Sequence, residues 1–95
     1  MNDITEQDRY RGCLVGLATG DALGTTLEFQ PRDAAPKLTE MIGAGVFNLN
    51  PGEWTDDTSM ALCLGQSLLD CDGFDTDDQM DKYWKWVEHG FRKWV

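Results

Sequence analysis

Residues 53–69 read EWTDDTSMALCLGQSLL. Two adjacent aspartates stand between two threonines, and an apolar run of Met, Ala, Leu and Cys follows at once. The run is too long for a strand, and its apolar residues recur at helical spacing, so it predicts a helix from near Thr55 to about Leu69. Met60, Ala61, Leu62, Leu64, Leu68 and Leu69 cover more than one face, which predicts a largely buried helix. Thr55 fits the N-cap, with its hydroxyl accepting a backbone N–H two or three residues on. Asp56 and Asp57 then fall in the first turn, where the helix dipole favours negative charge. That reading alone accounts for the pair. A second reading is a divalent-metal site. Hard cations take oxygen ligands, and Thr55, Asp56 and Asp57 offer one hydroxyl and two carboxylates. Successive helical residues point ~100° apart. The carboxylates therefore diverge, which suits two flanked ions better than one chelated ion, and further oxygens must come from elsewhere.

Outward from this segment the chain reads as helical. Residues Thr5 to about Ala22 predict a helix, with Thr5 and Asp8 as a capping start. Tyr10, Cys13, Leu14 and Leu17 fall on one face. Gly12, Gly16, Gly20 and Gly24 recur every fourth residue, and several helical glycines in register predict a second element packed close against them. They are not a phosphate loop, since no Lys follows in the required place. Residues 28 to 54 are irregular, punctuated by Pro31, Pro36 and Pro51, with a short helix expected around Lys37 to Ile42. The segment 45-GVFNLN-50 is too short to found a sheet. The stretch 70-DCDGFDTDD-78 reads as a solvated acidic turn. A calcium loop starting at Asp70 would need Gly and Glu where Asp75 and Asp81 stand. A last helix starts near Thr76, with Gln79 completing a capping box. Met80, Tyr83, Trp84, Val87, Phe91 and Trp94 form its apolar stripe, and Trp86 lies off it. The fold class expected is all-α: about three main helices and a long loop in one small domain.

Composition narrows the function. The 95 residues hold 17 Asp and Glu against 8 Lys and Arg, a net charge of −9. So acidic a chain is a poor direct ligand for nucleic acid or an anionic membrane. It suits a metal, a cationic partner, or imitation of nucleic-acid charge. No apolar stretch approaches a membrane span. Cys13, Cys63 and Cys71 are odd in number and lack CxxC spacing, and no signal peptide is evident, so reduced thiols in a cytoplasmic protein are expected. Cys13 and Cys63, within apolar runs, are expected in the core. Asp21 closes the first helix, where an isolated acid is disfavoured, so a backbone N–H or an Arg is expected to partner it. Glu28, between Leu27 and Phe29, reads by itself as a surface residue. His89, the single histidine, suits a helix C-terminus and takes a structural role.

Together, 11-RGCLVGLATGDALGTTLEF-29 and 52-GEWTDDTSMALCLGQSLL-69 resemble the ADP-ribosylglycohydrolase family, and 83-YWKWVEHG-90 resembles that family's next helix. The resemblance implies an orthogonally packed all-α fold and a binuclear Mg2+ or Mn2+ site that orients ADP-ribose and a water. It implies hydrolysis of the bond between ADP-ribose and a modified side chain, often arginine. Thr55, Asp56 and Asp57 match the first cluster of metal ligands. Glu28 matches the acidic residue near the substrate, with a catalytic or gating role. The family's second cluster, an Asp-x-Asp-Thr type motif, has no counterpart here, so the chain corresponds to the N-terminal third of such a fold and is not expected to catalyse alone. Two functions follow. One is a piece of an enzyme, which needs another chain to complete the metal site and the ADP-ribose cleft. The other is a non-catalytic acidic module, such as an inhibitor of a basic nucleic-acid-handling complex. Trp84, Phe91 and Trp94 would then bind a partner or a second copy.

Overall fold

A computed structural model describes residues 3–90. Among them it holds three α-helices, two short 3-10 turns and no strand. The all-α expectation is met. The chain divides into two compact units, Met1–Asp57 and Thr58–Val95.

The first unit opens with α1, Glu6–Gly24. Thr5 caps it as expected: its hydroxyl accepts the Asp8 N–H at 3.0 Å, and Asp8 Oδ2 accepts the Thr5 N–H at 3.2 Å. The helix ends two residues later than expected and tightens into a 3-10 turn, Thr25–Leu27, a common way to satisfy terminal carbonyls. Two expectations fail on α1. A Cβ at Gly12, Gly16, Gly20 or Gly24 would meet nothing within 4 Å, so no element among the described residues packs against the glycine line. Cys13, with Tyr10, Leu14 and Leu17, is exposed, because the only side chain this unit draws fully inward from α1 is Ala22.

No helix forms at 37–42; a 3-10 turn over Arg32–Ala34 stands earlier in the loop. Pro36 and Gly43, the latter at φ +68, confine the segment to a length too short for a helix to sustain itself without packing. A four-residue turn, 45–48, is closed by an antiparallel bridge between Ala44 and Leu49. It rests on the 3-10 turn that follows α1. The Thr26 hydroxyl donates to the Gly43 carbonyl at 2.5 Å. Gly45, φ +71, comes so close to the Thr25–Thr26 backbone that a Cβ would sit 2.9 Å from the Thr25 carbonyl oxygen.

The second unit is a helical hairpin. Helix α2 runs Asp56–Asp70 and α3 runs Thr76–His89. The residues of α2 drawn inward are small: Thr58, Ser59, Cys63 and Ser67. Cys63 is core as expected, and its burial pushes the thiol pKa up. Met60, Leu68 and Leu69 are exposed, so the expectation of a largely buried helix fails. Three of the inward residues, 59, 63 and 67, are four apart and line one narrow face, too narrow to cover every apolar residue.

Helix α3 also turns differently from its apolar pattern. Its N-cap is Asp75, whose carboxylate accepts the Asp78 N–H at 3.0 Å, not Thr76. The charged carboxylate of Asp75 is the stronger acceptor at the positive end of the helix dipole, so the helix starts one residue earlier than the threonine cap would set it. The buried residue is Lys82, only 8% exposed. Its ammonium donates to Asp70 Oδ2 and Asp78 Oδ2, both at 2.9 Å, and the Cys63 thiol approaches its carbonyl at 3.7 Å. Trp86, placed off the stripe, is half-buried, whereas Met80, Trp84 and Val87 are exposed. The acidic turn is therefore only partly solvated: both its outermost aspartates are bound to a buried cation. The Ser67 hydroxyl, then the Lys82 ammonium, hold the Asp78 carboxyl down at about 2. Lys82, bound by Asp78 and then Asp70, has its pKa raised.

Candidate metal centre

The TDD segment is positioned from α1. Asp21 lies in the last turn of that helix and accepts twice from Thr55, 34 residues on: its Oδ2 takes the backbone N–H at 2.9 Å and its Oδ1 takes the hydroxyl at 2.5 Å. The expectation that Asp21 has a backbone N–H partner is met. Hydrogen bonds to a charged acceptor contribute ~1.5–3 kcal/mol each when partly desolvated, and both residues are half-buried. One carboxylate thereby holds Thr55, the residue before the aspartate pair. The Thr55 hydroxyl, taken from sequence as a cap acceptor, donates its proton to Asp21. A hydroxyl with its proton so committed still has lone pairs to offer elsewhere. The pairing of Asp21 with Thr55 in particular escaped the sequence reading. The available signal was an acid at a helix C-terminus, which demands a donor without saying which one.

Asp56 and Asp57 stand in the first turn of α2 and both are exposed. Glu28 follows the Thr25–Leu27 turn, with its N–H bonded to the Thr25 carbonyl at 3.1 Å, and it is half-buried, not on the open surface. Among the described residues no three His, Cys, Asp or Glu side chains converge as a metal cage. Thr55, Asp56 and Asp57 are contiguous, and Thr55 is tied to Asp21; Glu28 and these carboxylates form no such cage. Exposed carboxylates with an oriented hydroxyl fit Mg2+ or Mn2+ in donor type, and they fall short of its usual six ligands in number. Trp84 is exposed on α3 at 61%, while Phe91 and Trp94 lie outside the described residues.

The profile of the ADP-ribosylglycohydrolase family matches residues 2–94 of the chain. The chain belongs to the ADP-ribosylglycohydrolase family. It is 53% identical over 83 residues to the ADP-ribosylarginine hydrolase Tri1 of Serratia proteamaculans, a match covering 87% of this chain and 22% of that protein. It is 39% identical over 92 residues to the ADP-ribosyl-[dinitrogen reductase] glycohydrolase of Rhodospirillum rubrum, covering 93% and 31%. A solved structure described as an ADP-ribosylglycohydrolase-related protein complex superposes with a TM-score of 0.83 at 54% identity, over 88% of this chain and 29% of that one. The chain thus spans about a quarter of the length of these ADP-ribosylglycohydrolases. No helix among its described residues is long and apolar enough to cross a membrane.

Proposed function

We propose that this chain supplies one half of the catalytic site of a metal-dependent ADP-ribosylglycohydrolase, with the remaining ligands supplied by another chain. The observation that carries the reading is the double hydrogen bond from Thr55 to Asp21, which holds the TDD segment in one place before any ion arrives. When bound, Mg2+ or Mn2+ would supply Lewis acidity and an activated water. Asp56 and Asp57 provide the negative charge that holds such an ion, and Thr55 provides a neutral oxygen oriented by Asp21. Asp21 acts through Thr55 and is a positioning residue. Glu28 is the group that would give or take a proton at the bond joining the ribose anomeric carbon to the modified side chain. Calorimetric titration with Mg2+ and Mn2+ tests the reading. Saturable binding is expected, and it should vanish in Asp56→Ala/Asp57→Ala with the far-ultraviolet circular dichroism unchanged. Heats no larger in the native chain than in that variant would sink the metal reading.

A second reading is favoured by the exposed face of Met80, Trp84 and Val87 on α3 and by the net charge of −9. On that reading the chain is a non-catalytic module that binds a basic protein partner, such as a component of a nucleic-acid-handling complex, or associates with a second copy through α3. Trp84 anchors the contact and the carboxylates rim it. Partner binding that survives Asp56→Ala/Asp57→Ala would favour this module over the half-site.

A further inference from the structure

Phe29 directly follows Glu28 and has φ 66, in the left-handed region that bulky residues avoid. Phe29 is 81% exposed, so burial does little to offset that backbone. Strained backbone of this kind gathers at functional sites. A second ring is held against it. Phe47, at the tip of the 45–48 turn, lies with its centroid 6.4 Å from that of Phe29 and its plane inclined at 59°. Phe47 is half-exposed. Two contacts fix the turn that carries it: the Thr26 hydroxyl on the Gly43 carbonyl, and the close seat of Gly45 on the Thr25–Thr26 backbone. The 3-10 turn that leads into Glu28 and the turn that carries Phe47 are therefore in direct contact. The rings are too close and too inclined for a plane to slide between them, so a ligand would lie on their open faces. Glu28 itself forms no ion pair among the described residues.

We propose that Phe29 and Phe47, beside Glu28, form a seat for a planar cation, the guanidinium of the arginine side chain that carries ADP-ribose. The inference rests on the hydrolase reading for its choice of arginine. A guanidinium is weakly hydrated and flat. It stacks on an aromatic face while its edge donates to a carboxylate, and it keeps its charge when one nitrogen is substituted. An ammonium has the charge without the plane, and a nucleobase has the plane without the charge. The strongly acidic chain adds a field that draws a cation in. Phe29 and Phe47 thereby become specificity-determining residues that orient the leaving side chain.

The test uses the chain alone, with no metal, and follows the Phe29 and Phe47 ring resonances by NMR. Agmatine, which carries a free guanidinium, should shift both sets. Butylamine and AMP at equal concentration should shift them several-fold less. Phe29→Gly removes one ring from a position where glycine is at ease, and it should weaken the agmatine response of Phe47 roughly five-fold, whereas Phe29→Tyr should preserve it. Equal shifts with agmatine and butylamine, or larger shifts with AMP, would overturn the proposal, as would no shift at all. A silent Mg2+ titration together with a positive agmatine titration would remove the metal half-site and leave this seat standing. The converse pair of results would remove the seat alone.

Discussion

At Gly45 two constraints act on one atom. The backbone is left-handed, φ +71, and an added Cβ would lie 2.9 Å and 3.0 Å from the Thr25 and Thr26 carbonyl oxygens. Those are backbone atoms and cannot swing aside. Gly45→Ala is therefore expected to cost ~2–3 kcal/mol, combining left-handed strain with the clash. It should appear as a lower urea midpoint with an unchanged slope. The same change would loosen the turn that carries Phe47. The Asp21 and Thr55 pair works the other way: no strain is involved, only the delivery of two donors to one carboxylate. Neither feature shows in the residue types. A glycine between Ala44 and Val46 announces a turn but not the backbone it presses upon.

Helices α1 and α3 each depart from their own patterns, for different reasons. In α1 the glycines at four-residue spacing meet nothing among the described residues. A helical glycine costs ~0.5–1 kcal/mol relative to alanine when nothing compensates. Gly16→Ala should therefore stabilise the chain by about that much and raise its helical circular dichroism; a loss of stability would show that something does press on that line. In the hairpin of α2 and α3 the inward cation Lys82 replaces an apolar contact. Its two carboxylates give stability a defined pH window. Asp78 is held down to about 2, by the Ser67 hydroxyl first and the Lys82 ammonium second, and a free aspartate titrates near ~3.9. Its contribution is present above ~4 and fades as pH falls towards 2. Lys82 is shifted upward, by Asp78 first and Asp70 second, so its contribution is present below ~10.4 and is lost in stronger alkali. Urea midpoints should be flat between these limits and fall on both sides, and Asp78→Asn should flatten the acid limb.

Among the described residues many bulky apolar side chains are uncovered, including Tyr10, Leu14, Phe29, Trp84 and Val87. A monomeric soluble domain rarely leaves that much exposed without a use for it. The chain matches 22% of one relative and 31% of another, so uncovered faces and an unfilled ligand count have a common explanation in the proposed half-site. A polypeptide carrying the unmatched part of the Serratia proteamaculans relative should bind this chain. ADP-ribose release from an ADP-ribosylarginine substrate should then appear only in the mixture, require Mg2+ or Mn2+, and be lost with Asp56→Ala/Asp57→Ala. Binding of the two polypeptides with no turnover would count against the half-site and for the binding module.

Local signals determined much of this protein by themselves. The Thr5–Asp8 cap and the apolar run after Asp57 set two helices, because capping and periodicity act over a few residues. The family was legible in the GDALG and WTDDT segments for the same reason: their residues are contiguous. What only the tertiary structure decided was which faces turn inward. The apolar stripe of α3 lost its inward place to Lys82, since two carboxylates on the turn and on its own first turn could desolvate and neutralise an ammonium there. Cys13 and the glycine line stayed open, since burial depends on what approaches from elsewhere and not on a residue's own polarity. The partner of Asp21 was likewise a matter of where the loop returns: 34 residues separate acceptor from donor, and no local rule spans that distance.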